Sequence, residues 1–283
     1  MRVVALHVYP VKSVRAVSPA RVRLDLRGLE GDRRWLIVDD VGAHVTQRED
    51  GGLATISAVP TATGLHLSAP GAPDLFVATP SGRERIDVTV FRQPVNAALA
   101  GGEVHAWLSA KFGKALRLVY MDDAAERVRH EPAWREPAVP IAFADNYPVL
   151  LTTTGSLAAL NDDIVSHGGA PVPMARFRPN VVVDCDEPWR EDTWKALRLG
   201  NTEIEFVRPC DRCTVPQNDQ GTGQSMGHEP TASLVRLRRS ADPRMKKVVF
   251  GWYALGRRLG DIGIGDGVEI LETRPEGFPL MRA

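Results

Sequence analysis

Short stretches of apolar–polar alternation, each closed within a few residues by Gly, Pro, Asn or Asp, recur from one end of this chain to the other. The plainest case is Leu197-Arg198-Leu199, then Gly200-Asn201, then Glu203-Ile204-Glu205-Phe206-Val207. A period of two puts alternate side chains on opposite faces, which is the pattern of a half-buried strand, and the Gly-Asn step reverses the chain into a hairpin. Val22-Arg23-Leu24-Asp25-Leu26 repeats the alternation. Trp35-Leu36-Ile37-Val38 meets His44-Val45-Thr46 across Asp39-Asp40-Val41-Gly42, and Leu65-His66-Leu67 meets Leu75-Phe76-Val77-Ala78 across Pro70-Gly71-Ala72-Pro73. Val181-Val182-Val183, Val248-Val249-Phe250 and Val268-Glu269-Ile270-Leu271 supply further strands. Twenty-five Gly and twenty-one Pro suit many short strands and turns, and would break a helical protein repeatedly.

Helical spacing is confined to a few places. Val104, Trp107, Leu108 and Phe112 share one face over 102–112, a short helix is predicted at 156–161, and another over 231–239. Residues 121–140, charged and carrying Pro132, Pro137 and Pro140, read as a surface connection. The expected fold is mainly β with a few helices (α+β), as two β-barrel-like domains divided into residues 1–120 and 121–283.

Thirty-five basic and thirty-five acidic residues cancel, so no net field draws the protein to nucleic acid or to an anionic membrane. No run of about 18 apolar residues is present to span a bilayer, and the start of the chain lacks the form of a signal peptide. Three cysteines make no disulfide framework and point to a reducing, cytoplasmic compartment.

Two of those cysteines fall in Arg208-Pro209-Cys210-Asp211-Arg212-Cys213-Thr214, directly after the hairpin. Arg208 and Arg212 would favour the thiolate, as nucleophile or soft-metal ligand. A structural zinc site would need four ligands, and neither a second cysteine pair nor a suitably spaced histidine pair exists. A thioredoxin-like couple would need a helix after Cys213, against which Pro216 and the glycines through Gly223 argue. An ordinary pair of loop cysteines also stays open.

Three other segments carry chemistry. Tyr9-Pro10-Val11-Lys12-Ser13 sets a Lys and a Ser after an X-Pro bend, and Gly31-Asp32-Arg33-Arg34 sets two basic residues after a glycine turn. Lys12, Ser13 and Arg33 together suit a phosphate, through charge-assisted hydrogen bonds. Arg176-Phe177-Arg178-Pro179-Asn180 enters the strand at Val181, where Arg178 and Asn180 can meet an anion or a heterocycle's edge. Each alone is equally a solvated turn, a surface pair or a strand cap.

Taken in order with Thr46-Gln47-Arg48, Asp145-Asn146-Tyr147-Pro148, Glu191-Asp192-Thr193-Trp194, Thr222-Gly223 and Phe250-Gly251, these segments resemble the MOSC (molybdenum cofactor sulfurase C-terminal) family, in the branch with an added N-terminal β-barrel that includes the amidoxime-reducing component and bacterial relatives. The resemblance implies a molybdenum cofactor, a pterin (molybdopterin) carrying Mo, held between the two domains. It implies Cys213 as catalytic residue and metal ligand, Lys12, Ser13 and Arg33 on the phosphate, and Arg178, Asn180, Asp145, Asn146 and Tyr147 along the pterin. It also carries a family-level association with pyridoxal phosphate binding. The implied activity is reduction of a small-molecule N-hydroxylated substrate, with Cys210 a bystander and Cys185 a buried apolar group. The alternative is a cofactor or persulfide carrier of the sulfurase type. The four further cysteines of a C-terminal ferredoxin domain are missing, so no intrinsic iron–sulfur cluster is expected. Electrons would come from a separate ferredoxin, flavoprotein or cytochrome-type protein. The sequence departs from relatives at Val14 and at Val215-Pro216-Gln217.

Overall fold

The computed structural model describes residues 1–281. Its largest element is a seven-stranded sheet, in the spatial order Val3–Leu6, Val181–Val183, Val149–Thr153, Val249–Arg258, Thr202–Asp211, Trp194–Leu199 and Val268–Thr273. Val181–Val183 is buried along its length, antiparallel to Val3–Leu6 on one side and parallel to Val149–Thr153 on the other. Trp194, Trp252, Phe206, Ile204, Leu151 and Leu6 fill the core against this sheet. Burial of large apolar side chains is the main stabilising term here, at roughly 1.5–3 kcal/mol for each Val, Leu, Ile or Phe.

The first half contains a four-stranded sheet of Trp35–Val38, Arg117–Tyr120, Gln93–Leu99 and Arg85–Val90, and a three-stranded meander of Ser57–Thr61, Gly64–Ala69 and Ala72–Ala78. The helix Gly102–Phe112 lies over their shared core, presenting Val104, Trp107 and Leu108, and Trp107 Nε1 donates to the Pro73 carbonyl at 2.6 Å. Gly113, at φ 66°, ends that helix in the left-handed conformation that glycine adopts freely.

The two halves are interleaved. Val3–Leu6 lies in the second half's main sheet, and Arg21–Asp25 pairs with Gly260–Gly263. Some predicted elements recur with longer bounds: the helix expected at 156–161 runs Thr154–Ser166, and the cysteine hairpin runs Trp194–Leu199 to Thr202–Asp211, whereas the helix expected over 231–239 ends at Leu237 and His44 makes only an isolated bridge to Val38. Cys210 therefore lies inside a strand, and only Cys213 is in the loop beyond it.

Two expectations are corrected. Residues 121–140 are more than a surface connection: Val128–Glu131 and Arg135–Pro140 form a hairpin, and the buried Arg127 donates to the carbonyls of Ala142 and Ala144 at 2.8 and 2.6 Å, fixing the approach to Asp145. Of the two arginines expected to activate the thiols, Arg208 is already neutralised by Glu131 and Asp211 at 2.9 and 2.7 Å.

Candidate functional site

One cleft between the halves gathers most of the residues singled out from sequence. Lys12, Ser13, Arg33, Asp145, Tyr147, Arg178, Asn180 and Cys213 all line it; Asn146, half-buried in the adjoining turn, does not. Thr46, Gln47, Arg48, Cys210, Arg212 and Tyr253 complete much of the wall.

The backbone presents the site under strain. Ser13, Arg33 and Arg178 have φ of 67°, 49° and 53°, a region that costs a residue with a Cβ about 1–2 kcal/mol. Surrounding bonds impose it. Arg33 donates its N–H to the Tyr9 carbonyl (2.7 Å) and its carbonyl accepts from Phe143 N (2.9 Å). The Ser13 carbonyl accepts from Gln47 Nε2 at 2.8 Å, and Arg178 N closes a turn onto the Ala175 carbonyl at 3.1 Å. Such clustering of strained residues is characteristic of functional sites.

Tyr9 organises two of the cations. Its buried ring has the guanidinium carbons of Arg33 and Arg178 4.4 and 4.2 Å from its centroid, and its hydroxyl donates to the Pro179 carbonyl at 3.1 Å. Burial pushes the phenol up to about 12 against the pull of both arginines, so the ring that meets the two cations is neutral. Burial brings Arg178 down to about 10, still cationic at neutral pH. Arg33 is raised: burial works against it, but the Asp32 carboxylate at 2.5 Å more than compensates.

Lys12 is 4 % exposed and its ammonium donates to the Phe143 carbonyl and to Asp145. Burial lowers its pKa and Asp145 restores part of the loss. The Asp145 side chain, 53 % exposed at the cleft mouth, is held well below the usual carboxylate range. Enclosure by the cleft raises it, but the Lys12 ammonium, then Arg33 and Arg48, prevail.

Asn180 proves to be a hub. At 1 % exposure, its side-chain oxygen accepts from Arg33 Nη1 and Leu150 N, and its nitrogen donates to the His7 carbonyl and Asp32 Oδ1, all four at 3.1 Å. An amide has two donors and two acceptor positions, so its hydrogen-bonding capacity is filled within the protein.

Cys213 is exposed along the cleft, whereas Cys210 is 2 % exposed and takes a hydrogen bond from Arg212 Nη1 at 2.8 Å. Burial raises the Cys210 thiol despite Arg212, and Tyr253, buried beside it, is raised well above its ordinary value. The loop after Cys213 is clamped onto the first half. Gln220 and Gln47 exchange side-chain hydrogen bonds at 2.9 and 3.1 Å, Asn218 donates to the Gln47 carbonyl at 2.9 Å, and a Cβ at Gly223 would run into the Gly51 carbonyl.

Sequence reasoning missed Arg48 and Gln47 as site residues, although the Thr46-Gln47-Arg48 motif was in view. Arg48 Nε donates to Thr46 Oγ1 at 3.3 Å, and its terminal nitrogens have no partner among the described residues. The lining thus holds five cations, Lys12, Arg33, Arg48, Arg178 and Arg212, against the carboxylates of Asp145 and Asp211. Such a wall selects an anion. Among the described residues no group of three or more His, Cys, Asp or Glu could hold a metal. A metal at Cys213 would take one soft protein donor and need its other ligands from the group that carries it. An anionic, metal-bearing organic cofactor fits this donor set.

Comparison with known proteins agrees with this picture. Residues 1–115 match the MOSC N-terminal beta barrel domain and residues 138–269 the MOSC domain. Mitochondrial amidoxime-reducing component 1 of Xenopus laevis is 31 % identical over 280 residues, 93 % of this chain and 80 % of that protein. Its human namesake is 30 % identical over 283 residues, 95 % of this chain and 82 % of the relative. Molybdenum cofactor sulfurase of Oryza sativa subsp. japonica is 28 % identical over 269 residues, spanning 86 % of this chain but 31 % of the larger protein.

Proposed function

Because the chain belongs to the MOSC family, with a MOSC N-terminal β-barrel ahead of the MOSC domain, we propose that it is a molybdenum-cofactor-dependent oxidoreductase that reduces N-hydroxylated compounds. The division between its domains is proposed near residue 120. The observation that carries the reading is the convergence of Lys12, Ser13, Arg33, Arg48 and Arg178 on one cleft with a single accessible thiol, Cys213. The relatives named for amidoxime reduction supply the substrate class.

In this reading Lys12, Ser13 and Arg33 hold the cofactor's phosphate, with Arg48 at the mouth. Arg178 and Tyr147 flank its ring system, and Asn180 keeps Arg33 aimed. Cys213 ligates the metal. When bound, the cofactor supplies a soft metal centre able to take an oxygen atom from an N–O group, the overall change consuming two electrons and two protons and releasing water. The chain's own part is to bind, to orient and to keep protons near the reacting end. Tyr253 and Cys210, both buried with raised pKa, stay protonated at neutral pH. Electrons would come from a separate protein, of ferredoxin, flavoprotein or cytochrome type.

The exposure of Cys213 favours one second reading, a sulfur or cofactor carrier of the sulfurase type, since a persulfide must reach a partner. Expression in cells able to make the cofactor, followed by molybdenum analysis and assay of benzamidoxime reduction with a chemical electron donor, separates the two. The oxidoreductase reading expects about one molybdenum per chain and activity lost in Cys213→Ser. A folded protein without molybdenum whose Cys213 carries persulfide sulfur by mass spectrometry would transfer the assignment to the carrier.

A further inference from the structure

Val8 and Val17 meet in an isolated antiparallel bridge, each N–H donating to the other's carbonyl, at 2.9 and 2.8 Å. Both valines pack into the core of the seven-stranded sheet. Side chains alternate along an extended chain, so the residues flanking the bridge, His7 and Tyr9 on one arm and Ala16 and Ser18 on the other, share the opposite face. That face floors a pocket of about 300 Å³ whose walls are Arg15, Ala175, Arg178 and the Gln220-Gly221 turn. Arg178 is the one residue it shares with the cleft.

No carboxylate lines this pocket among the described residues. The Arg15 guanidinium donates to the Gly221 carbonyl at 3.3 Å, and that of Arg178 to the Val14 carbonyl and Gln220 Oε1 at 2.8 and 3.1 Å. Both cations therefore meet neutral acceptors, and neither has a carboxylate in direct contact. His7 Nδ1 lies 2.9 Å from Ser18 Oγ, while its Nε2 has no hydrogen bond among the described residues. Burial lowers the imidazole pKa, so the ring is neutral at neutral pH and can donate from Nε2 once Nδ1 accepts the serine proton. The Tyr9 ring and the methyl groups of Ala16 and Ala175 add apolar lining. A pocket of this size is at the lower end of the range that takes small organic molecules. A singly charged acid suits it: one guanidinium can hold the carboxylate in a bidentate pair, and the apolar floor covers the rest.

We propose that this pocket is a second, regulatory site for a small organic monocarboxylate, whose binding weakens anion binding in the cleft. Arg178 carries the coupling. Two anions drawn to one guanidinium divide its donors and repel each other, so each lowers the affinity of the other by the same factor. Gln220 Oε1 accepts from Arg178 and from the cleft residue Gln47, at 3.1 Å each, and ties the pocket wall to the cleft a second time. The coupling rests on the anion-binding role assigned to the cleft; the site itself does not.

The test is calorimetry on the cofactor-free protein, with benzoate as the probe for the pocket and phenyl phosphate as the anion for the cleft. Wild type should bind benzoate at least about tenfold more tightly than benzamide, which has its shape without its charge. Arg15→Ala, which trims an exposed side chain, and Ala175→Trp, which fills the pocket from an exposed position, should each weaken benzoate about tenfold. Arg48→Ala, which removes a cation from the cleft alone, should change benzoate binding less than about twofold. Saturating phenyl phosphate should weaken benzoate about fivefold, and benzoate should weaken phenyl phosphate equally. Benzoate affinity unchanged in Arg15→Ala and Ala175→Trp, or lost in Arg48→Ala, overturns the site, as does full mutual exclusion of the two probes. Independent binding of the two overturns the coupling. Wild type that binds benzoate but not phenyl phosphate overturns the anion reading of the cleft, whereas wild type that binds phenyl phosphate but not benzoate overturns the second site alone.

Discussion

Asn180 offers the sharpest separation between a residue that contacts a ligand and one that builds the site. Replacing it with Ala deletes four hydrogen bonds from a position that is 1 % exposed. Two of the former partners stay well satisfied: Asp32 Oδ1 still accepts from Tyr9 N at 2.8 Å, and Arg33 keeps Asp32 Oδ2 at 2.5 Å. The other two, the Leu150 N–H and the His7 carbonyl, lose the partner that reached them from this side chain. A buried backbone group left unpaired costs about 1–3 kcal/mol. A water entering the small polar cavity would recover part of this, so the net loss should be about 3 kcal/mol. For a chain of this size that corresponds to a fall in Tm of roughly 5–10 °C. The assay is thermal unfolding of the cofactor-free protein, with Asn146→Ala, in the half-buried turn beside the cleft, expected within about 0.5 kcal/mol of wild type as the control. If Asn180 acted only on a bound heterocycle, cofactor-free Asn180→Ala would melt with wild type, and the argument for a hub would fail. Asn180→Asp should be worse than Ala at neutral pH, because a carboxylate would replace the donor that now faces Asp32.

Electrostatics of the cleft predicts opposite effects from the two members of the Lys12–Asp145 pair. Lys12→Ala should weaken phenyl phosphate binding about tenfold or more, whereas Asp145→Asn, which removes negative charge from the mouth, should leave it equal or tighter; weaker binding in both would refute the assignment. Asp145 also contributes to acid stability. Its folded pKa lies below the unfolded value near 4, so its stabilisation is present above about pH 4 and fades as pH falls toward the folded value. Asp145→Asn should therefore flatten the stability–pH curve below about pH 4, as followed by denaturant titration. For the cysteines, iodoacetamide applied to the cofactor-free native protein should modify Cys213 first and spare Cys210 and Cys185, which are buried and whose pKa values burial raises. Earlier modification of Cys210, read by peptide mass spectrometry, would contradict the division of roles between the two thiols.

The residues that sequence made legible are those whose role follows from local chemistry. Gly200-Asn201 announces its hairpin, and the spacing of Val104, Trp107 and Leu108 announces its helix, because turn geometry and helical period are properties of neighbouring residues. Lys12, Ser13 and Arg33 stand out as a candidate anion-binding set for the same reason, and the fold brings all three to one cleft. The direction of a side chain was not legible. Arg208 and Arg212 look equivalent around Cys210, yet one points into Glu131 and Asp211 while the other reaches the sulfur, a difference set by register irregularities at 206–208 and 209–211, by Arg212 lying beyond the end of the strand, and by a hairpin at 128–140 whose prolines concealed it. Asn180 could not be read as a hub, because His7, Asp32, Arg33 and Leu150 meet it only through sheet topology. The hairpin at 85–99 escaped detection for a different reason: Phe91-Arg92 contains none of the residues that its turn prefers. Where a chain violates local turn chemistry and still holds the turn, some other requirement has outweighed the propensity. Here the same two residues that hid the hairpin set an aromatic ring against Lys12 and Arg48. The hairpin is hidden from the sequence rule because the neighbours of its turn, His44 at 4.7 Å, Lys12 Nζ at 5.1 Å and Arg48 Cζ at 5.6 Å from the Phe91 ring centroid, are brought there only by the fold.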